Sequence, residues 1–237
     1  MLKFSIICGI LLCTSIAFSQ KHNDAIKINL SGLIVKNISV QYERKVAKRI
    51  SVALNYRTLP YGTVPFSTAL SNQVNNASVD FSKMNVGSSA ITPEVRFYVG
   101  KKKAMRGFYL GPFASFSNYK TDFPINFSNR SGIFSGNLKA TTGGLQLGAQ
   151  MRISNRIFLD WWILGPNIGN GNGNLNLAAT LTPTEQSDLR DQLEKLKGNV
   201  PLGFIQSYTV DSNGANVVLN GPWAGLRGLG FNLSFQF

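Results

Sequence analysis

Two carboxylates stand alone in apolar surroundings, Glu94 in "TPEVRFYV" and Asp160 in "IFLDWWIL". Paired carboxylates are the simplest equipment for general acid–base catalysis. They have company. Lys27, Glu43, Arg57, Arg96 and Arg152 also occupy the polar phase of alternating segments, giving four cations against three anions. A nearly balanced set of this kind equally forms a structural network, because an unpaired charge in a closed space is costly. The structural reading is adopted for all seven residues, with the Glu94–Asp160 acid–base pair as its functional alternative.

Other chemistries find little support. Ser–His catalysis needs a histidine, and the one in the chain, His22, precedes the first strand-like segment and reads as a solvated tail residue. The same count excludes a histidine metal cluster. Cys8 and Cys13 fall in the N-terminal apolar run and leave with it, so no thiol chemistry is expected. "NIGNGNGN" (Asn167 to Asn174) lacks the GK[ST] ending of a phosphate cradle and no helix opens after it, which suggests a flexible loop. No catalytic residue, cofactor or metal is therefore assigned.

The segment "LTPTEQSDLRDQLEKLKG" predicts a helix over 183–197. Thr182 is a natural N-cap, Pro183 fits the first helical position, Glu185 completes a capping box and Gly198 is a stop. Its apolar stripe is Leu189, Leu193 and Leu196. That stripe either packs beneath its own loop or offers a partner face to another protein. After it, a hairpin is expected with its turn near Asn213-Gly214.

The elements that must position these residues are strands. Alternation of period two recurs in "AIKINL", "ISVQYE", "ISVALNYR", "TPEVRFYV", "LQLGAQMRIS", "IFLDWWIL" and "GLGFNLSFQF". "GFYLGPFASFSNY" is β-like with ambiguous phase, and Pro112 suggests a bulge or bend. These eight segments are joined by short links after the second, fourth and sixth and by long ones after the third, fifth and seventh, the last running from about 166 to 220. That rhythm predicts an eight-stranded antiparallel up-and-down transmembrane β-barrel, all-β, with one helix in the last extracellular loop. Such a barrel has room inside only for side chains. The functional alternative is a barrel that transports or binds a small ligand or lipid; if soluble, it would be a secreted lipocalin-like barrel with the same faces turned inside out.

Composition narrows the choice. Charged residues reach only 15%, aromatics reach 11%, and Gly occurs 23 times. The net charge of +13 invites nucleic acid as a partner. Much of it, though, is concentrated in short links at Arg44, Lys45, Lys48, Arg49, Lys101, Lys102, Lys103, Arg106 and Arg156, without interleaved aromatics, so no nucleic-acid partner is expected. "MLKFSIICGILLCTSIAFS" reads as a secretory signal peptide over 1–19, cleaved near Ser19/Gln20, which leaves residues 20–237 as a single barrel domain. No apolar run of 18 residues follows it. The chain closes on Phe231, Leu233, Phe235 and Phe237 along one face, which resembles the signal read by the outer-membrane assembly machinery.

Several segments carry a resemblance: "NLSGLIVKNISVQYERKVAKRISVALNYR", "ITPEVRFYVG", "GFYLGPF", "FLDWWILGP" and "GPWAGLRGLGFNLSFQF". They resemble an uncharacterised (domain-of-unknown-function) family of small outer-membrane barrels from the Bacteroidetes group. The resemblance implies a barrel fold and residence in the outer membrane of a Gram-negative cell, and supplies no catalytic residues. The expected partners are outer-membrane lipid, the assembly machinery and other outer-membrane proteins.

Overall fold

The computed structural model describes residues 23–63, 83–100, 103–128, 130–199 and 204–237. The expected signal peptide and its cleavage site, Cys8, Cys13, His22, Lys101 and Lys102 lie outside the described residues.

The chain runs β1 (Asp24–Asn29), α1 (Leu30–Ile34), β2 (Ile38–Ala47), β3 (Ile50–Thr63), β4 (Asn85–Tyr98), β5 (Gly107–Phe127) and β6 (Arg130–Arg152). It continues with β7 (Ile157–Leu164), β8 (Pro166–Ala178), α2 (Pro183–Asn199), β9 (Ile205–Asp211), β10 (Gly214–Leu226) and β11 (Gly230–Gln236). Every strand pairing is antiparallel. From β1 through β7 the pairs are sequential, β7 pairs with β11, and β11 returns to β1 with Ile26 opposite Phe235. The turns after β2, β4 and β6 lie at the end where Ala25 faces Gln236. Toward the opposite end the sheet continues from β6 to β8, β10 and β9 without a described partner for the outer edge of β9. The ring is thus closed at one end and open at the other.

The described residues form eleven strands, where the alternation predicted eight. Two of the expected features caused the difference. The run Asn167 to Asn174, expected as a loop, is the body of β8, which follows β7 across Gly165. Glycine there serves close approach of backbones: a Cβ on Gly173 would lie 2.4 Å from the Asn137 carbonyl oxygen, and one on Gly169 2.0 Å from that of Thr141. In the same way β10 precedes β11 across Arg227 to Leu229, with Leu229 at φ +53°. The hairpin strand β9 completes the count; its turn is tight, with Asp211 opposite Gly214, as the sequence predicted. Pro112 produces no register shift: it lies within β5 opposite Leu145.

Around the closed end the usual distribution of polarity is reversed. The inward residues of β11 are Asn232, Ser234 and Gln236, all buried, while Phe231, Leu233 and Phe235 stand outward and exposed. The same holds for β1, with Lys27 and Asn29 in and Ile26 and Ile28 out, and for β2, with Ser39, Gln41 and Glu43 in and Val40 and Tyr42 out. Farther along β5 and β6 the polarity changes back. Inward Gln150, Gln146 and Thr142 give way to Ala140, Leu138 and Phe134. An apolar core forms there from Ile125, Phe127, Phe134, Leu177, Val217 and Leu219, among others.

Helix α2 closes that core. Thr182 N–H donates to Glu185 Oε2 at 2.8 Å and the Glu185 N–H points back to Thr182 Oγ1 at 3.4 Å, the two arms of the capping box. Leu189 and Leu193 are fully buried against Leu177, Leu181 and Val210, and Leu196 packs at the margin. The stripe Leu189, Leu193 and Leu196 is therefore no partner face. It is consumed within the chain, because a lone three-residue stripe is stable only when covered. No helix among the described residues is long and apolar enough to cross a membrane.

Candidate functional site

The inward face of the ring brings together five of the seven charged residues that the sequence singled out. Each comes from a mid-strand position whose neighbours point outward, so alternation alone directs it into the lumen. Lys27 of β1 reaches Asp160 Oδ2 of β7 at 2.5 Å and also pairs with Glu43 of β2. Arg96 of β4 is the hub. Its Nη1 donates to Asp160 Oδ2 at 2.7 Å and to Glu43 Oε2 at 3.0 Å, and its Nε donates to Glu94 Oε1 at 2.8 Å. Its Nη2 donates to Gln41 Oε1 at 2.9 Å, and the guanidinium lies 4.3 Å from the centre of the Tyr109 ring. Tyr109 donates in turn to Asp160 Oδ1 at 2.9 Å, and the Tyr98 hydroxyl lies 2.7 Å from Glu43 Oε1. Ser51 donates to Glu43 as well.

A sixth member was not singled out. Arg227 Nη1 donates to Glu94 Oε2 at 2.8 Å, and its guanidinium sits 3.9 Å from the Trp162 ring centre. Counting back from Phe237 in steps of two places Arg227 with the outward residues. The alternation changes phase between Arg227 and Gly230, so that odd-numbered residues of β10 face inward and even-numbered residues of β11 do. Its partner strand changes phase at the same level, between Trp162 and Gly165, where the register to β6 shifts by one. The signals for this in the sequence are the paired glycines Gly165 and Gly228.

The other two expected members lie elsewhere. Arg152, at the last position of β6, is exposed and donates to Ser154 O at 3.0 Å and to Asn155 of its own turn. At a strand terminus the inward phase no longer has a wall beside it. Arg57 is half-buried in a cavity above the network and makes no salt bridge among the described residues.

The result is a charge-balanced plug: Lys27, Arg96 and Arg227 against Glu43, Glu94 and Asp160. All but Arg227 have side chains with no exposed surface. Glu94 and Asp160, the candidate acid–base pair, both grip the same guanidinium. Each carboxylate accepts from at least two donors. Small residues make room: a Cβ on Gly111 would lie 2.5 Å from Glu94 Oε1, and one on Gly148 would lie 2.3 Å from the Tyr109 ring. Toward the closed end Tyr98, Tyr109, Ala25, Ala104 and Met105 floor the plug, and Trp162 joins the same apolar cluster from the cavity side.

On the other side of the plug lies a cavity of ≈ 140 Å³, whose lining includes Arg57, Phe113, Thr142, Trp162, Trp223 and Arg227.

Residues 6–172 match the family described as "Protein of unknown function (DUF3575)". The chain belongs to that family. No curated protein matches it. Among solved structures, the translocator domain of the autotransporter NalP from Neisseria meningitidis is similar over 99% of this chain and 94% of that one. The identity is 12% and the TM-score 0.37, too distant to bear on what this family member does.

Proposed function

We propose that this DUF3575 protein is a non-enzymatic outer-membrane β-barrel, permanently sealed by its ionic plug, that holds the β8–β10 extension and α2 at the cell surface. One observation carries the reading: the closed ring is polar and ion-paired inside while its outward residues are bulky and apolar. Ile26, Val40, Leu54, Phe97, Leu147 and Leu233 are all exposed, each 38–52%. In water such a belt would be a large exposed apolar patch of the kind that marks an interaction surface; in a bilayer it is the lipid-facing side of a barrel. The soluble lipocalin-like alternative needs the opposite arrangement, an apolar interior. In this reading export uses the 1–19 signal, and the outward aromatic Phe237, beside Phe235, Leu233 and Phe231, is what the assembly machinery recognises.

The plug supports a sealed lumen rather than a channel. Five side chains without exposed surface span the lumen between β1, β2, β4 and β7, and opening it would strand buried charges. Purified protein in planar bilayers is expected to give no steady current, and cell fractionation is expected to place it with outer membranes resistant to alkaline washing. Reproducible open-channel currents would overturn the sealed lumen. Recovery in the soluble periplasm would overturn the membrane reading.

A further inference from the structure

We infer that the cavity above the plug is a binding site for a small organic monocarboxylate. The inference goes beyond the sealed-barrel reading, and its test does not require that reading to hold.

Charge comes first. The plug beneath is balanced, three cations to three anions. Arg57 stands outside that balance, half-buried, with no carboxylate in salt-bridge range among the described residues. Among the described residues the cavity therefore carries one surplus positive charge, which a single negative charge neutralises.

Hydrogen bonding gives a second, independent indication. Three lining residues each hold a shielded N–H with no acceptor among the described residues: Arg57 Nε, Arg227 Nη2 and Trp162 Nε1. A buried donor left unsatisfied is costly, and donors of charged groups more so. All three are donors. What these three N–H groups lack is an acceptor, and a carboxylate supplies two oxygens with about four lone-pair sites and donates nothing. A guanidinium also matches a carboxylate in planar geometry.

The walls select the rest of the guest. Phe113 and Trp223 line the space, Trp223 backed by Tyr119 at 5.3 Å and Phe204 at 5.5 Å. Hydroxyls of Ser115, Ser117 and Thr142 line it too. A body with an apolar ring or short chain suits such walls. The volume of ≈ 140 Å³ is close to the roughly 150 Å³ of an engineered cavity that takes benzene. It falls short of the ~300 Å³ at which drug-sized pockets begin. The guest is thus a carboxylate with a body of about the size of one benzene ring.

Benzoate is the probe. The three tryptophans, Trp161, Trp162 and Trp223, give three indole N–H signals in ¹⁵N-labelled protein in detergent micelles. Trp162 and Trp223 line the cavity, whereas Trp161 stacks on Phe231 at 5.9 Å on the outer surface. Benzoate is expected to shift the Trp162 and Trp223 signals saturably and leave Trp161 unmoved. Benzyl alcohol and benzylammonium, of the same size without the negative charge, are expected to move neither. Arg57→Gln should weaken benzoate at least tenfold with the remaining amide spectrum unchanged, and Ser115→Leu, which fills the cavity, should abolish the shift. Inorganic phosphate separates a bare oxyanion site from one that uses the apolar walls: binding weaker than benzoate supports the inference. Phosphate binding equal to or tighter than benzoate, equal benzoate affinity in both variants, equal shifts with benzyl alcohol, or no saturable shift at all would overturn it.

Discussion

Asp160 is the residue on which the plug converges. It accepts from Lys27, Arg96 and Tyr109, three donors from three different strands. Removing its charge leaves Lys27 and Arg96 to share Glu43, with Glu94 already divided between Arg96 and Arg227. Breaking a buried pair by deleting one partner costs about 3–5 kcal/mol. Asp160→Asn is accordingly expected to lower the stability of the refolded barrel by about that amount, read as a shift of its urea midpoint. Adding Lys27→Met should recover part of the loss, because the double substitution deletes the cation together with its counterpart; a simple sum of the two losses would show that the ion pair is not coupled. Five of the six plug residues were legible in the sequence as polar-phase charges in apolar strands. Arg227 was not, since its strand changes face at Gly228 and Leu229, and a count in steps of two carries straight across that break.

At the scale of elements, the strands of the ring were legible because each has one wet and one apolar face, which period two records directly. β8 was not. Its inward positions are Asn167, Gly169, Gly171 and Gly173, and glycine has no side chain to declare a face. Only the neighbouring backbones of β6 and β10 make a strand of it. Helix α2 was legible for the opposite reason, since its cap, stripe and stop all lie within one local segment. What covers the stripe lies in β8, β9 and β10, beyond the reach of a local pattern. The cap also makes a pH prediction. The Thr182 backbone N–H, then the Thr182 hydroxyl and Arg130, hold the Glu185 carboxyl below its ordinary value. A depressed folded value means that the carboxylate stabilises the helix above the unfolded value and that this contribution is lost as pH falls through the folded one. The protection of the α2 amides, measured relative to the intrinsic exchange rate at each pH, should therefore fall on acidification in the wild type. In Glu185→Gln that acid-dependent step should be absent; its persistence would assign the step to another group.

For the whole molecule the decisive variable is what touches the outside of the ring. Leu233 is 43% exposed in the middle of β11, between Ile28 of β1 and Leu159 of β7. Val46, 56% exposed, lies beside the β2–β3 turn at the closed end. In a bilayer, arginine costs about 2–4 kcal/mol near the midplane and about 0–1 near the interface. Leu233→Arg should then destabilise the barrel in lipid vesicles far more than Val46→Arg. Equal effects would argue that no depth gradient surrounds the ring. Inward Ser234 is a poor control for this comparison, because it is fully buried directly opposite Lys27, where added positive charge meets like charge.

The wiring of the plug has a bearing on how the chain can finish folding. Lys27 meets Asp160 across 133 positions of sequence, and so does Glu94 its Arg227. The first strand also needs the last one to close the ring. A chain that stops early therefore fails in two ways: it has an open seam, and its inward charges lack partners that only later strands supply. Lacking everything after β6, it would hold Lys27 and Arg96 against Glu43 and Glu94, with the place of Asp160 vacant and Glu94 short of Arg227. A chain that runs through β7 adds Asp160 and sets three carboxylates against two cations, and balance returns only with Arg227; the ledger of opposite charges thus works as a proofreading device that distinguishes a finished wall from a partial one. Closure should accordingly be late and all-or-none, with the segment from Arg227 through β11 supplying the last counter-charge and the last seam in the same step.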